Sequence, residues 1–488
     1  MTARPGLTRV PLRTADADVI VVGAGVAGLA AAAQLTTAGR HVEVLEQDVT
    51  VGGRVGSSLV DGFTVDHGFH LVYPRPEGLA GLVGLEDLDL HPLLPGLDLL
   101  LGSDAHGSEV RTVADPRRAP GRLVSTLRAG LRAHDLHSAR EVWSLLRWAR
   151  AAEAAGDDLP WPQALAAGGL QGRPALVAER LLTAMLLEDP GGRSGGSGSA
   201  GIGNGVRSGH SAGIGGSGGH TASDGRTARE RLRAFLHAAP ALPAHGMVAL
   251  PVHLMGHLAR PVHTGTRVDA VRRRGGSWVV LGDHGTWSAP QVVLATPAGV
   301  SADLLHGSGV DLTLPHQQWH GVTTWWFTTD EAPSGSTALR LDARPHRGPV
   351  AATAVVTNVS PAYSADGRPL IAALVLHRNG HPEGQEAAVR VHLSELWGTP
   401  AFGWEVVARQ DQTQGVPVRP AGTAGGAGAG APAGLFLAGD HLAPGITGAM
   451  ESGVRAAADA LRAGVHGGFP DPLRTEGRGG RLWAWTST

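Results

Sequence analysis

The stretch Asp18-Val-Ile-Val-Val22-Gly23-Ala24-Gly25-Val26-Ala27-Gly28 decides the fold. A short β-branched run of this kind suits a strand buried on both faces. The glycines after it are spaced G-x-G-x-x-G, and each has a physical job. The first permits a tight strand-to-helix turn, the second lets backbone approach a pyrophosphate, and the third lets helix pack close to strand. An Ala-rich helical stretch then runs to about Ala38, with Gly39 at the position of a C-cap. A second strand is expected over His41–Leu45, ending at Glu46, where a carboxylate can accept both hydroxyls of a ribose. This is a right-handed β-α-β unit of a dinucleotide-binding domain. Gly23, Gly25, Ala27, Gly28 and Glu46 are its cofactor-binding candidates, the helix N-terminus facing the diphosphate with free N–H groups.

Composition narrows what such a domain can do. The chain has 488 residues, enough for two to four units at roughly 150 residues each. Its 41 cationic side chains, all Arg, stand against 43 acidic ones, for a net charge of −2. That balance leaves no excess for gripping a phosphate backbone, so nucleic acid is not an expected partner. Cysteine is absent, which excludes disulfides, thiol nucleophiles, iron–sulfur ligation and a cysteinyl cofactor bond. Lysine is absent too, which excludes Schiff-base chemistry and the P-loop lysine. With 72 glycines in the chain, a bare glycine triplet carries little weight. Strand, helix and terminal Glu around it make the signal specific.

Residues 1–15 hold three Arg but no apolar core of a secretory signal, and no run reaches the ~18 apolar residues of a membrane span. The expected localisation is cytoplasmic, with peripheral membrane contact left open. Pro95, Gly96 and Asp98 interrupt the apolar stretch Leu93–Leu101, which reads as a buried segment or a loop of a substrate domain.

Beyond the first unit, residues 130–190 alternate Leu, Ala, Arg and Trp at helical spacing. Residues 191–226 are Gly/Ser-rich and read as a flexible insertion between helices. Short strands are expected at 268–271, 278–281, 292–295, 322–328, 352–357 and 370–376, with a helix over 386–396. A second low-complexity spacer covers 421–434, before a strand at 435–438 and a closing helix from about Gly448 to Gly464. Trp319, Trp325, Trp326 and Phe327 share one strand whose face suits an apolar pocket, whereas Trp397 and Trp404 read as core. His253 and His257 lie four apart, but without a Glu-bearing H-E-x-x-H pattern they read as packing residues, and no metal is expected.

An NAD-only domain would not need the two segments beyond the second strand, Gly52-Gly53-Arg54 and Gly62-Phe-Thr-Val-Asp66-His67-Gly68-Phe69-His70. Arg54 offers a planar fork of donors to a diphosphate. Near the C-terminus stand Gly434-Leu-Phe-Leu-Ala438-Gly439-Asp440 and Gly448-Ala449-Met450-Glu-Ser-Gly453. Together these motifs resemble the flavin-containing amine oxidase superfamily, which includes phytoene and carotenoid desaturases and protoporphyrinogen oxidase. Thr266-Arg-Val268-Asp-Ala-Val271 and Val292-Val-Leu-Ala-Thr-Pro297 resemble its adenine-side strands.

The resemblance implies an α/β fold: a Rossmann-like FAD-binding domain of discontinuous segments (1–75, 241–300 and 421–465) with a mixed α+β substrate domain (76–240 and 301–420) and a tail over 466–488. It adds Gly53, Arg54, Gly68, Phe69, His70, Val268, Gly439, Asp440, Gly448, Ala449 and Met450 to the cofactor site. Asp440 would bond the ribityl chain, Val268 would meet adenine through its backbone, and the backbone of Met450 would face the pyrimidine edge. No catalytic side chain is implied, with His70 and His441 the weak candidates.

The departures from the superfamily pattern shape the expected chemistry. Many of its amine oxidases hold a lysine that binds water at flavin N5, and paired tyrosines against the flavin face. Here there is no lysine, and Tyr73 and Tyr363 are the only tyrosines. The expected function is hydride transfer from a C–H bond of an apolar, polyene- or terpenoid-like molecule to N5 of a non-covalently bound FAD, with oxygen or a quinone as acceptor. Amine oxidation is the alternative. A non-enzymatic protein-binding relative, as Rab GDP-dissociation inhibitors are within this fold, comes last.

Overall fold

The computed structural model describes residues 17–74, 85–103, 107–115, 118–119, 144–151, 153–188, 223–310, 312, 314, 317–345, 347–378, 381–382, 385–418, 431–443 and 445–466. In chain order its strands are β1 (Val19–Val22), β2 (Val42–Leu45), β3 (Ser57–Val60), β4 (Phe63–Asp66), β5 (Leu90–Pro92), β6 (Gly96–Ser103), β7 (Gly107–Ala114), β8 (Ala241–Pro243), β9 (Val268–Arg274) and β10 (Ser277–Gly282). The later strands are β11 (Gly285–Ala289), β12 (Gln291–Leu294), β13 (Trp319–Thr328), β14 (Leu339–Asp342), β15 (Val350–Val355), β16 (Leu370–Arg378), β17 (His381–Pro382), β18 (Glu405–Pro417) and β19 (Leu435–Leu437). The chain divides into two units: Met1–Gly53, Leu250–His316 and Gly426–Thr488 form one, and Arg54–Ala249 with Gln317–Gly425 the other.

In the first unit, four parallel strands lie in the order β19-β12-β1-β2. Every residue of β1 is buried, as a β-branched run in the middle of a parallel sheet requires. The register pairs Val22 with Leu45 and with Leu294, and Leu294 with Leu437. All four chains therefore leave the sheet at one edge, carrying Gly23, Glu46, Ala295 and Ala438. That carboxyl edge is where open parallel sheets bind ligands. The helix Val26–Thr37 comes directly after β1, and the helix Gly445–His466 packs along it. The antiparallel sheet β11-β10-β9 closes over the strand faces, Trp278, Val280 and Trp287 packing on Ile20, Val22 and Leu294.

The second unit is built on a sheet ordered β18-β13-β16-β15-β14-β6-β7, with β17 paired to β16. Strand β13 alternates its side chains between two cores. Val322 and Trp326 join the cluster formed with the helices Trp161–Ala167, Gly172–Leu186 and Gly225–His237. Trp325 and Phe327 face the other cluster, with Leu393, Leu396, Trp397 and Trp404 on and beside the helix Glu386–Trp397. Trp397 and Trp404 are core, and so are Trp325, Trp326 and Phe327, which were expected to line a pocket.

Three expectations change. The segment 54–75 groups with the sheet unit rather than the nucleotide unit, because the β3–β4 hairpin is tied to residues such as Tyr363 and Met247. The stretch Leu93–Leu101 is a buried segment, one of its two expected readings: it enters strand β6, whose Leu97, Leu99 and Leu100 are buried while Asp98 ion-pairs with Arg340. The Gly/Ser insertion ends earlier than 226, since Asp224 caps the helix Gly225–His237 by accepting the Thr227 N–H at 2.7 Å. Its remainder, like the spacer over 421–430 and the tail with Trp483 and Trp485, falls outside the described residues. Finally, the closing helix begins at Gly445, one turn before the expected Gly448.

Candidate functional site

In the nucleotide unit, the glycine turn is forced by close packing. Gly23 stands at φ +99°, and a Cβ on Gly28 would lie 1.9 Å from the Gly23 carbonyl oxygen. Gly25 is the N-cap of the helix and offers no side chain to its first N–H groups, and the first turn carries no acidic residue. A Cβ placed there meets no atom of the described residues within 4 Å. Among the described residues no side chain caps those donors at the positive end of the helix, as an anion site needs. Ala27 and Gly28 are buried in the same first turn.

Glu46 is delivered to this turn by β2. Its Oε2 accepts the Ala24 N–H at 2.6 Å and its Oε1 accepts the Asp48 N–H at 3.0 Å. Burial raises its pKa, opposed by those backbone donors. Gly52 N–H donates to Ala24 O at 2.9 Å, which brings the Gly52-Gly53 pair beside the glycine turn. The segment before β9 runs along the same edge, Thr266 N–H donating to Glu46 O at 2.7 Å, so Val268 starts its strand two residues from Glu46's partner.

At the exit of β19, Gly439 N–H donates to Ser452 Oγ at 2.8 Å, and that hydroxyl donates on to Ala449 O at 2.6 Å. Ser452 thus fastens the Gly439-Asp440 turn to the closing helix. It stands inside the Gly448–Gly453 run, yet no feature of the sequence singles it out. Asp440 and His441 are both buried. Because the helix starts at Gly445, Gly448 is its fourth residue and Met450 its sixth. The free N–H groups of a helix belong to its first four residues. The fully buried Met450 therefore lies inside the ladder, and the N-terminal donors belong to residues up to Gly448.

In the sheet unit, Asp66 ends β4 as a fully enclosed hub. Its Oδ1 accepts Ser57 Oγ at 2.6 Å and the Met247 N–H at 2.8 Å, and its Oδ2 accepts Tyr363 Oη at 2.9 Å. Burial raises its pKa to about 6 despite the three donors. In the sequence Asp66 is one member of a motif and no more; nothing in one chain marks a carboxylate whose partners lie 181 and 297 residues away.

The residues after Asp66 dock on β13 and β18. Phe69 N–H donates to Thr324 Oγ1 at 3.2 Å, and Gln412 Nε2 donates to His67 O at 2.9 Å. His70 folds back over Gly68 and donates its Nε2 proton to Arg54 O at 3.1 Å. Burial lowers its pKa to about 4, with the charges of Arg54 and His67 adding to the effect, so the ring is neutral at pH 7. A weak candidate for proton transfer, His70 instead spends its N–H on the backbone of a cofactor-binding candidate. Arg54 Nη1 donates to Gly415 O at 3.0 Å.

Two other sequence features resolve simply. His253 and His257 pack edge to face at 5.1 Å. Among the described residues no group of three or more His, Asp or Glu is placed to hold a metal ion, and no helix is long and apolar enough to cross a membrane.

Residues 26–461 match the family model of flavin containing amine oxidoreductases. The chain belongs to that family. Members similar to it include putrescine oxidase of Kocuria rosea, 49% identical over 74 residues, which are 14% of this chain and 16% of that protein. Carotenoid phi-ring synthase of Streptomyces griseus is 38% identical over 111 residues, 21% of this chain and 22% of that one. These alignments span less than a quarter of either relative's length. Among solved structures, a putrescine oxidase variant from a redesign of cofactor binding shares the fold. It has a TM-score of 0.63 and 19% identity, over 91% of this chain and 99% of that one. The uncapped helix end and the enclosed carboxylate of Glu46 fit the flavin cofactor that this family of flavin-containing oxidoreductases implies.

Proposed function

We propose that the protein is an FAD-dependent oxidoreductase that takes hydride from a C–H bond of an apolar, polyene- or terpenoid-like small molecule. FAD, held without a covalent bond, supplies the hydride acceptor at N5, and oxygen or a quinone takes the electrons afterwards. The glycine turn and the N-terminus of the helix Val26–Thr37 hold the diphosphate. Glu46 holds the adenosine ribose and the Val268 backbone meets adenine. Gly439 and Asp440 hold the ribityl chain, with Gly448 and its neighbours at the pyrimidine edge.

One observation carries the substrate class: the fate of tyrosine in a chain without lysine. Tyr363 is fully enclosed and its hydroxyl is spent on Asp66, which leaves Tyr73 alone. Neither a water-holding lysine nor a facing pair of tyrosines can then be assembled, and the residues that remain supply shape and apolar contact. The likeness to a carotenoid-modifying enzyme agrees with this reading. An apolar substrate also suits a cytoplasmic protein that touches a membrane surface at its periphery.

The experiment begins with the purified protein. Released flavin identified as FAD, with a colourless acid-precipitated pellet, supports a non-covalent dinucleotide. Anaerobic bleaching of the flavin band by polyenes but not by simple amines supports the substrate class. Rapid turnover of amines alone reverses the order in favour of the putrescine oxidase likeness. A colourless protein that takes up no flavin leaves only a protein-binding role.

A further inference from the structure

Within the sheet unit, the helix Gly225–His237 carries a cation on its buried face. Ala228 and Leu232 are buried there, and Phe235 and Leu236 pack partly against the same core. Arg231 stands three residues after Ala228 and four before Phe235, so it projects from that face and not from the solvent side. Two other arginines of the helix are spent elsewhere. Arg229 pairs with Asp157 and donates to Ala151 O, and Arg233 donates to Ala149 O at 2.9 Å. Tyr73 meets Arg231 from the segment that follows β4. That segment is fastened at two places of its own unit: Phe69 N–H donates to Thr324 Oγ1 at 3.2 Å, and Val72 exchanges N–H···O bonds of 2.9 and 2.8 Å with Ala241, just beyond the helix. Leu71 and Tyr73 flank Val72, and Leu71 packs against the core that receives Ala228 and Leu232. Tyr73 is half-buried, yet burial raises its hydroxyl above the ordinary tyrosine range, with the Arg231 charge acting the other way. The hydroxyl is thus protonated at pH 7 and free to act as a donor.

We propose that Tyr73 and Arg231 receive the carboxylate of an apolar acid, so that the substrate is a polyene- or terpenoid-like chain ending in one acidic group. The inference rests on the apolar-substrate reading and adds to it a polar end. A guanidinium offers a planar fork to the two oxygens of a carboxylate, and the phenol adds a further donor. The apolar side chains around the pair, Leu71, Ala228, Leu232 and Phe235, suit the chain behind that carboxylate. The count of charges selects among anions. One cation balances one negative charge, and Arg229 and Arg233 are already engaged, so a phosphate or diphosphate would bring into an apolar setting more charge than the pair offsets. An amine enters as an ammonium ion and meets a like charge at Arg231.

The test is calorimetric titration of the purified full-length chain with three probes that share one polyene skeleton: all-trans-retinoic acid, its methyl ester and retinyl phosphate. The acid is expected to bind about tenfold tighter than either of the others, the worth of a charge-assisted hydrogen bond. Arg231→Gln should bring the acid down to the level of the ester and leave the ester itself unchanged. Tyr73→Phe should weaken the acid about threefold and spare the ester, as the loss of one neutral donor does. Equal affinity of acid and ester for the parent, or equal losses of both in Arg231→Gln, overturns the proposal. A phosphate that binds tighter than the acid overturns the carboxylate assignment. Circular dichroism confirms folding, and should Arg231→Gln fail to fold, a full preference for the acid in both Arg231→Lys and Tyr73→Phe overturns the proposal instead. Anaerobic bleaching of the flavin separates this inference from the reading beneath it. Bleaching by acid and ester alike, at equal affinity, keeps the polyene reading and rejects the carboxylate site. Tighter binding of the acid with no bleaching by any probe rejects polyene oxidation and keeps the site. No binding by any of the three rejects both.

Discussion

Tyr363 Oη donates a 2.9 Å hydrogen bond to Asp66 Oδ2 across 297 residues of chain. With Ser57 Oγ and the Met247 N–H on the other oxygen, this contact ties the β3–β4 hairpin to two distant segments of its unit. The Gly68–His70 segment begins two residues later, so its place depends on a carboxylate that faces no solvent. Tyr363→Phe keeps the ring and leaves one buried lone pair unmet, which costs about 1–3 kcal/mol. Urea unfolding of the variant against the parent checks this, and an equal midpoint counts against the hub.

The same carboxylate gives stability a pH dependence of unusual sign. Burial lifts Asp66 to about 6, above the 3.8 of an exposed aspartate, and the hydrogen bonds from Ser57, Met247 and Tyr363 only partly offset it. Between those values the folded chain binds the proton that the unfolded chain has released. The contribution is therefore complete below pH 3.8 and is lost as pH rises through 6, by roughly 3 kcal/mol over the window. Asp342 works in the opposite sense: burial alone would raise it, but His392 and Arg344 bring it down to about 2. Its contribution is present above pH 3.8 and lost toward pH 2. Unfolding free energies of Asp66→Asn relative to the parent, measured from pH 4 to 7, should move in favour of the variant as pH rises. A constant difference rejects the assignment.

The nucleotide unit was legible because its signals are local. Gly23 to Gly28, a β-branched strand before and Glu46 after all act within thirty residues, and each rule they obey concerns neighbours in sequence. Arg54 and the Gly68–His70 segment were legible as members of a motif but not as to what holds them. Their partners, Trp319, Thr324, Gln412 and Gly415, come from strands more than 250 residues away. The bulge of β18 against β13 left no trace in the pattern of that strand, since a bulge is defined only against the strand it pairs with. The early start of the closing helix was hidden for a related reason. Gly445-Ile-Thr-Gly448 carries two glycines, which weigh against helix by propensity, and tertiary packing overrides that preference.

Glu46 meets the Ala24 and Asp48 N–H groups with its two oxygens, and Glu46→Gln replaces one acceptor with a donor. Affinity for FAD should fall about tenfold, the worth of a charge-assisted hydrogen bond. FMN lacks the adenosine ribose, so its weaker binding should be unaffected by the same change. Titration of the deflavinated protein with each flavin separates the two. Equal losses for both would mean that Glu46 acts on the fold and not on the ribose.

Glu188 ties together the two residues that flank 189–222, accepting the Ser223 N–H at 3.0 Å and the Ser223 hydroxyl, while Trp161 Nε1 donates to it at 2.7 Å. Replacing 191–221 with a six-residue Gly/Ser linker shortens the closed loop and should raise stability by about 1 kcal/mol, with flavin content unchanged. Glu188→Gln in the parent should lower stability, since a buried carboxylate with several donors is lost. A shortened chain that unfolds more easily would show that the excised residues contribute packing of their own.

Gly25 and Gly28 stand three residues apart and should fail in different ways. A methyl group on Gly28 would lie 1.9 Å from the Gly23 carbonyl oxygen, and 3.0 Å from the Ala295 Cβ. Gly28→Ala must therefore push the helix away from the sheet, and overpacking of this kind costs about 1–3 kcal/mol or more. Gly25 has φ −69°, open to any residue, and a methyl there meets no atom of the described residues within 4 Å. Gly25→Ala should leave the unfolding midpoint almost unchanged while weakening FAD, because the methyl group stands where a ligand approaches the uncapped helix end. Thermal unfolding of the two flavin-free variants, beside FAD titration of each, reads both effects. If the flavin-free Gly25→Ala chain loses stability while keeping full affinity, the diphosphate does not pass over this turn.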